Sequence, residues 1–148
     1  MIVGLMAVAA LNALGAATRS AMSTGNRAIA AGLADELITE ALARAYSDPD
    51  EPPLFGPEDG EENGPRSVFD DIDDYHGWDE NPVEDANGVA QPDREKFRRY
   101  AAVQLVAPED PTQNSPGNTD MGVKRIRVRV EYGGQVLAEQ FAICTDAE

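Results

Sequence analysis

The sequence contains few of the residues from which catalytic and metal sites are usually built. Its 148 residues include one cysteine, Cys144, one histidine, His76, and one tryptophan. A single cysteine excludes a disulfide within the chain. Cys144 and His76 together do not have the spacing of zinc ligands. No nucleophile lies beside His76 and no glycine-rich phosphate loop follows a strand, so we expect His76 to be a turn residue. The sequence therefore predicts no catalytic residue and a protein that is not an enzyme.

Positive charge is also scarce. Twelve basic side chains stand against 27 acidic ones, which gives a formal net charge of −15. Residues 48–96 carry almost all of the excess, with seventeen acidic and three basic residues, whereas residues 1–47 are balanced. Such a surface repels phosphate groups, so we expect no nucleic-acid partner. The excess of acid indicates either solubility or cation binding.

Charge is missing altogether from residues 1–17, which read MIVGLMAVAALNALGAA. This run continues into a helical pattern, and we expect one helix over residues 1–47, too long for a small domain to cover. We therefore expect the run to be buried in a membrane or against copies of itself, although a cleaved signal or a core helix would also fit an apolar start. The predicted contact residues are Ile2, Val3, Leu5, Val8, Leu11 and Leu14.

The second half of the predicted helix is amphipathic. Apolar residues recur there at helical spacing, and the prolines from Pro49 onward end the pattern. Residues 97–148 show the alternation of strands: a strand at 98–107, a loop at 111–122, and a hairpin around Gly133-Gly134. We expect an α+β fold in which the helix packs on three antiparallel strands. The predicted helix–sheet core is Ile29, Leu33, Leu37, Leu42, Ile126, Val128 and Val130.

Residues 48–96 form an acidic region with seven of the ten prolines and no sustained periodicity, which predicts a long loop. Within it, the apolar and aromatic residues at 68–78 should pack on the domain, with Tyr75 and Trp78 as anchors. The same stretch holds a group of aspartates that could ligate calcium, although its spacing is not that of an EF-hand. The alternative is a solvated acidic loop. The candidate ligands are Asp70, Asp71, Asp73 and Asp74; no other cofactor is predicted.

The order of these features resembles the type IV pilin and pseudopilin family. The stretches that carry the resemblance are MIVGLMAVAALNALGAATRS, DDIDDYHGWDENP and VKRIRVRVEYGGQVLAEQFA, the last two being similar to minor pilins of the MSHA MshD kind. The resemblance implies a pilin-like fold and a helix stored in the bacterial inner membrane, later stacked into a filament. The family's leader and its early glutamate are not in this sequence, so we expect Met1 to fall inside the family's hydrophobic segment.

The predicted function is that of a minor structural subunit of a type IV pilus or type II secretion-like filament. Its partners would be other pilin-like subunits and the membrane assembly machinery, with the globular part periplasmic or extracellular. Two alternatives stay open: a membrane-anchored acidic domain that binds calcium, and an exported small binding or hydrolase-like domain. A pocket with convergent polar groups would favour the last of these.

Overall fold

A computed structural model describes residues 2–48 and 55–146, and for residues 2–16 and 19 it describes the backbone alone. One α-helix, α1 (Ile2–Leu42), precedes five strands: β1 (Asp79–Glu80), β2 (Phe97–Ala107), β3 (Asp110–Asn114), β4 (Val123–Tyr132) and β5 (Gln135–Thr145). Three short 3₁₀ turns lie between them, at Arg66–Val68, Asp73–Tyr75 and Pro116–Asn118. The fold class is α+β, with a helix packed on an antiparallel sheet.

The sheet has the order β1-β2-β4-β5, with β3 paired to the end of β2. The two long central pairings are antiparallel, and Ala101 lies opposite Val128 on neighbouring strands. A two-residue turn at Gly133-Gly134 joins β4 to β5, as the sequence predicted. Both glycines have positive φ, 58° and 81°, a conformation that a tight hairpin requires and that other residues adopt at a cost.

The main core lies between the second half of α1 and the inner face of β2 and β4. Leu33 and Leu37 are buried there against the sheet residues Ile126, Val128 and Val130, and Ile29 packs on the edge of the cluster. The predicted alternation of β4 is therefore found in the structure, since its apolar residues face the helix. Leu42 is the exception, because it is 41% exposed.

The end of α1 explains why the prediction for Leu42 was wrong. The last turn tightens, with the Ala43 N–H donating to Glu40 O at 3.3 Å and the Arg44 N–H to Ala41 O at 3.1 Å. The chain then leaves the helix, and Ala45 pairs with the aspartate segment through the Ala45 N–H to Asp70 O at 3.2 Å. The helix therefore ends five residues before the predicted boundary at 47, and Leu42 turns away from the sheet.

Two short strands were not predicted. β1 (Asp79–Glu80) lies in the region expected to be loop, and β3 (Asp110–Asn114) overlaps the loop expected at 111–122, so the sheet has five strands rather than three. β3 contains Pro111, which lacks an N–H, and it pairs with β2 at only two positions on either side of an irregularity. Strands this short and irregular leave no period-2 pattern in the sequence.

The aromatic segment packs on the domain, as predicted. Tyr75 is fully buried and Trp78 is packed against the core. Phe69 lies between them, with ring centroids 5.1 Å from Tyr75 and 5.4 Å from Trp78 in edge-to-face geometry. These contacts fix the acidic region onto the domain through its aromatic side chains.

Candidate functional site

A buried ion-pair lattice lies where the acidic region meets the helix and the sheet, and we define it as Arg66, Arg99, Glu40 and Glu80. Glu40 comes from α1, Arg66 from the first 3₁₀ turn, Glu80 from β1 and Arg99 from β2. The two arginines are 1% and 0% exposed, and Glu80 is 4% exposed. The lattice therefore joins the helix, the acidic region and the sheet at one point.

Glu80 is the centre of the lattice because it binds both arginines. Its Oε2 accepts from Arg66 Nη1 at 2.5 Å, and its Oε1 accepts from Arg99 Nε. Arg66 Nε also donates to Glu40 Oε1 at 2.9 Å, and the Tyr75 hydroxyl donates to the same oxygen at 3.0 Å. Each buried charge thus has an opposite charge in contact, which is the condition under which buried ions are tolerated.

Several other guanidinium donors of the lattice bind backbone carbonyls. Arg99 Nη1 donates to Leu33 O at 3.1 Å, and Arg99 Nη2 donates to Glu84 O at 2.9 Å. Burial lowers the pKa of Arg66, but the Glu40 and Glu80 carboxylates outweigh it and the net shift is upward. Burial also raises the pKa of Tyr75, to about 12. Both groups therefore keep their protons at any physiological pH.

Sequence reasoning missed this lattice, although one signal was present. Arg99 occupies an inward position of β2, in phase with Phe97, Ala101 and Val103, all of which are buried. A charged residue at an apolar position of an alternating strand indicates a buried partner of opposite charge. The partner could not be named from the sequence because Glu80 lies in a strand that left no pattern.

The four aspartates predicted as calcium ligands have separate roles in the structure. Asp71 Oδ1 accepts the N–H groups of Asp73 and Asp74, at 2.7 and 3.3 Å. Asp73 pairs with Lys124 of β4 and accepts the Gly56 N–H at 3.3 Å. These contacts use the Asp71 and Asp73 oxygens to hold the turn and to fix it to the sheet. Asp70 is exposed, and its carbonyl oxygen accepts the Ala45 N–H, whereas Asp74 is buried.

Asp74 lies beside two glutamates that the sequence analysis did not select. Each of Glu58, Glu61 and Asp74 offers a carboxylate oxygen, and the three oxygens lie within 4.8 Å of one another. We call these residues the carboxylate cluster. Burial raises the pKa of Glu58 and of Glu61, and it raises the pKa of Asp74 to about 6. The same cause raises the pKa of the neighbouring Asp71 to about 8.

The outer face of the sheet carries the row of arginines on β4. Arg127 and Arg129 both face Glu139 of β5, at 3.7 and 3.3 Å, and all three side chains are largely exposed. Arg125 donates to Gln104 Oε1 at 2.6 Å. These arginines therefore lie on the face of the sheet opposite the helix, and Arg127, Arg129 and Glu139 are open to solvent there.

An open groove of about 430 Å³ lies beside the arginine row. Arg125, Arg127, Glu139, Phe141 and Ile143 are among the residues that line it. His76 lies elsewhere and is exposed, with its Nδ1 2.8 Å from Val103 O. The charged side chains of this groove form exposed salt bridges and do not converge on it as unpaired polar groups. The expectation that the protein is not an enzyme stays a prediction.

The predicted assembly residues of the apolar run lie outside the residues whose side chains are described. Within the described part of the chain, no helix combines the length and the hydropathy needed to cross a membrane. Comparisons with protein families, with curated proteins and with solved structures found no match to this chain.

Proposed function

We propose that this protein is a minor pilin-like or pseudopilin-like structural subunit of a type IV pilus or type II secretion-like filament. The observation that carries the proposal is that one part of α1 is exposed whereas another part packs on the sheet. Its described side chains from Ala17 to Ala28 are exposed, apart from the half-buried Asn26, whereas the helix is buried against the sheet from Ile29 onward. Among the described side chains, the domain thus covers the helix only from Ile29 onward, and the 41 helical residues would extend roughly 60 Å at 1.5 Å per residue.

The sequence at the far end of the helix supports the same proposal. Residues 1–17 are uncharged, and the stretch that follows is polar in sequence, with Arg19, Ser20, Thr24 and Arg27. A polar connection between an apolar run and a folded domain suits a subunit that is stored in the inner membrane and whose helix later packs in a filament core. The head would then face the periplasm or the cell exterior.

The test is self-association and vesicle binding by the full chain. We expect the wild type to float with phospholipid vesicles and to assemble when detergent is removed. Leu11→Glu should reduce both by roughly tenfold or more, because a carboxylate in an apolar contact must be desolvated. Val89→Glu is the matched control, since Val89 is 61% exposed in a loop, and it should behave as the wild type. A wild type that neither floats nor assembles would overturn the proposal.

The alternative of an acidic calcium-binding domain is favoured by a specific observation, the carboxylate cluster. Calcium binding at this cluster is compatible with a filament subunit.

A further inference from the structure

The carboxylate cluster contains oxygens that lack partners. Asp74 is 1% exposed, and its Oδ1 is buried with no hydrogen-bond partner. Glu58 Oε1 is likewise buried without one. A buried acceptor that is left unsatisfied destabilises the folded state, and more so when it is charged. Two such oxygens in one cluster indicate that a ligand belongs there.

The other contacts of Asp74 show which way its free oxygen faces. Oδ2 accepts the N–H groups of Asp70 and Asp71, both at 3.0 Å, so that side of the carboxylate is used. Glu61 lies within hydrogen-bonding reach of Asp74. Two ionised carboxylates have no proton to share, however, so Oδ1 faces the glutamates without a donor. A water molecule or an added proton can satisfy it, and a cation can also neutralise the crowded carboxylates.

Local structure holds the two glutamates in position. The Glu61 N–H donates to Glu58 O at 3.0 Å, and Glu61 Oε2 accepts the Glu58 N–H at 3.3 Å. Asp74 lies in the 3₁₀ turn anchored by the buried Tyr75. The three carboxylates are therefore presented by two short turns, and their spacing does not depend on long flexible side chains alone.

The nearby buried cations are already used by other acids. Lys124 pairs with Asp73, and Arg66 pairs with Glu40 and Glu80. A divalent cation would supply positive charge to the cluster while its carboxylates stay ionised.

We propose that Glu58, Glu61 and Asp74 form a binding site for one calcium ion. All three donors are oxygens, which hard cations prefer, and irregular turns suit the adaptable coordination of calcium better than the strict octahedron of magnesium. Water or nearby carbonyl groups would complete the coordination. The site differs from the one predicted from the four aspartates, and it does not depend on the filament proposal.

The experiment is a calorimetric and thermal titration of the full chain in mild detergent, after calcium has been removed with a chelator. At neutral pH and constant ionic strength, we expect saturable binding of one calcium ion with a dissociation constant below about 1 mM and a higher melting temperature. Magnesium should bind at least roughly tenfold more weakly, because it gives up its water reluctantly.

Glu61→Gln should weaken calcium binding by roughly tenfold or more, since it removes one of three ligand charges. Glu62→Gln is the matched control, because Glu62 is adjacent and exposed; it should change affinity little. Asp74→Asn, checked for folding by circular dichroism, should also lose binding.

Three results would overturn the proposal. These are no saturable binding, equal losses in Glu61→Gln and Glu62→Gln, or stabilisation by acid with no effect of calcium. The last result would mean that the carboxyl groups share a proton instead. None of them bears on vesicle binding or assembly, so the two proposals fail separately.

Discussion

The ion-pair lattice and the carboxylate cluster both include residues of the acidic region, but their charges are compensated in opposite ways. In the lattice, Glu80 contacts both Arg66 and Arg99, and every charge has a counter-charge. In the cluster, Glu58 and Asp74 each leave a buried oxygen without a hydrogen-bond partner. The difference shows that burial alone does not indicate a structural role: a paired buried charge holds elements together, whereas an unpaired one indicates a missing ligand.

The largest expected effect comes from breaking the lattice. Arg99→Met should lower the free energy of unfolding by about 3–5 kcal/mol, because Glu80 would lose a buried partner. Urea denaturation measures the loss. The matched control is Arg98→Met, since Arg98 is the preceding residue and forms an exposed pair with Asp79; its stability should change little. Equal losses in both variants would mean that the lattice contributes nothing beyond a surface pair.

The cluster should respond with the opposite sign. In calcium-free buffer, Glu61→Gln should raise the free energy of unfolding by on the order of 1 kcal/mol, because one of three crowded negative charges is removed while an oxygen acceptor stays. Denaturation of this variant beside Glu62→Gln gives the measurement. Should Glu61→Gln destabilise the calcium-free protein more than Glu62→Gln does, the contrast between lattice and cluster would not hold.

The smallest expected effect is on the reactivity of Cys144 on β5, whose thiolate would be a partly buried charge. Burial raises the pKa of this thiol, with Lys124 opposing the shift. Less thiolate therefore forms in the folded state than in the unfolded state at any pH below the folded pKa, and the thiolate is the reactive form. Alkylation near pH 8 should be several-fold slower in the native protein than in urea. Equal rates in native protein and urea would contradict this.

Helices and strands were predictable from the sequence where their apolar residues repeat with a period of 3.6 or 2 over a long stretch. The buried positions Leu33 and Leu37 of α1 and the alternation of β4 follow from the sequence, as does the Gly133-Gly134 turn. These features depend on neighbours in the chain, so a single sequence contains them. The exact end of α1 did not follow, because it depends on Ala45 pairing with a segment about 25 residues away.

The candidate sites were less predictable than the fold. The sequence indicated cation binding in the acidic region, but the predicted ligands were the closely spaced aspartates rather than Glu58 and Glu61. Asp71 accepts backbone N–H groups within its own turn, and Asp73 pairs with Lys124, a contact that forms only when the turn packs on the sheet. A count of acids along the chain cannot distinguish an acid that caps a turn from one that is free to bind.

The sequence by itself determined an acidic chain with an uncharged start, an amphipathic helix and an alternating hairpin, because each of these is a local property of composition or spacing. Only the tertiary structure decided which buried charges found partners. Pairing requires groups from α1, β1, β2 and the intervening turns to meet at hydrogen-bonding distance, and the order of residues does not contain that distance.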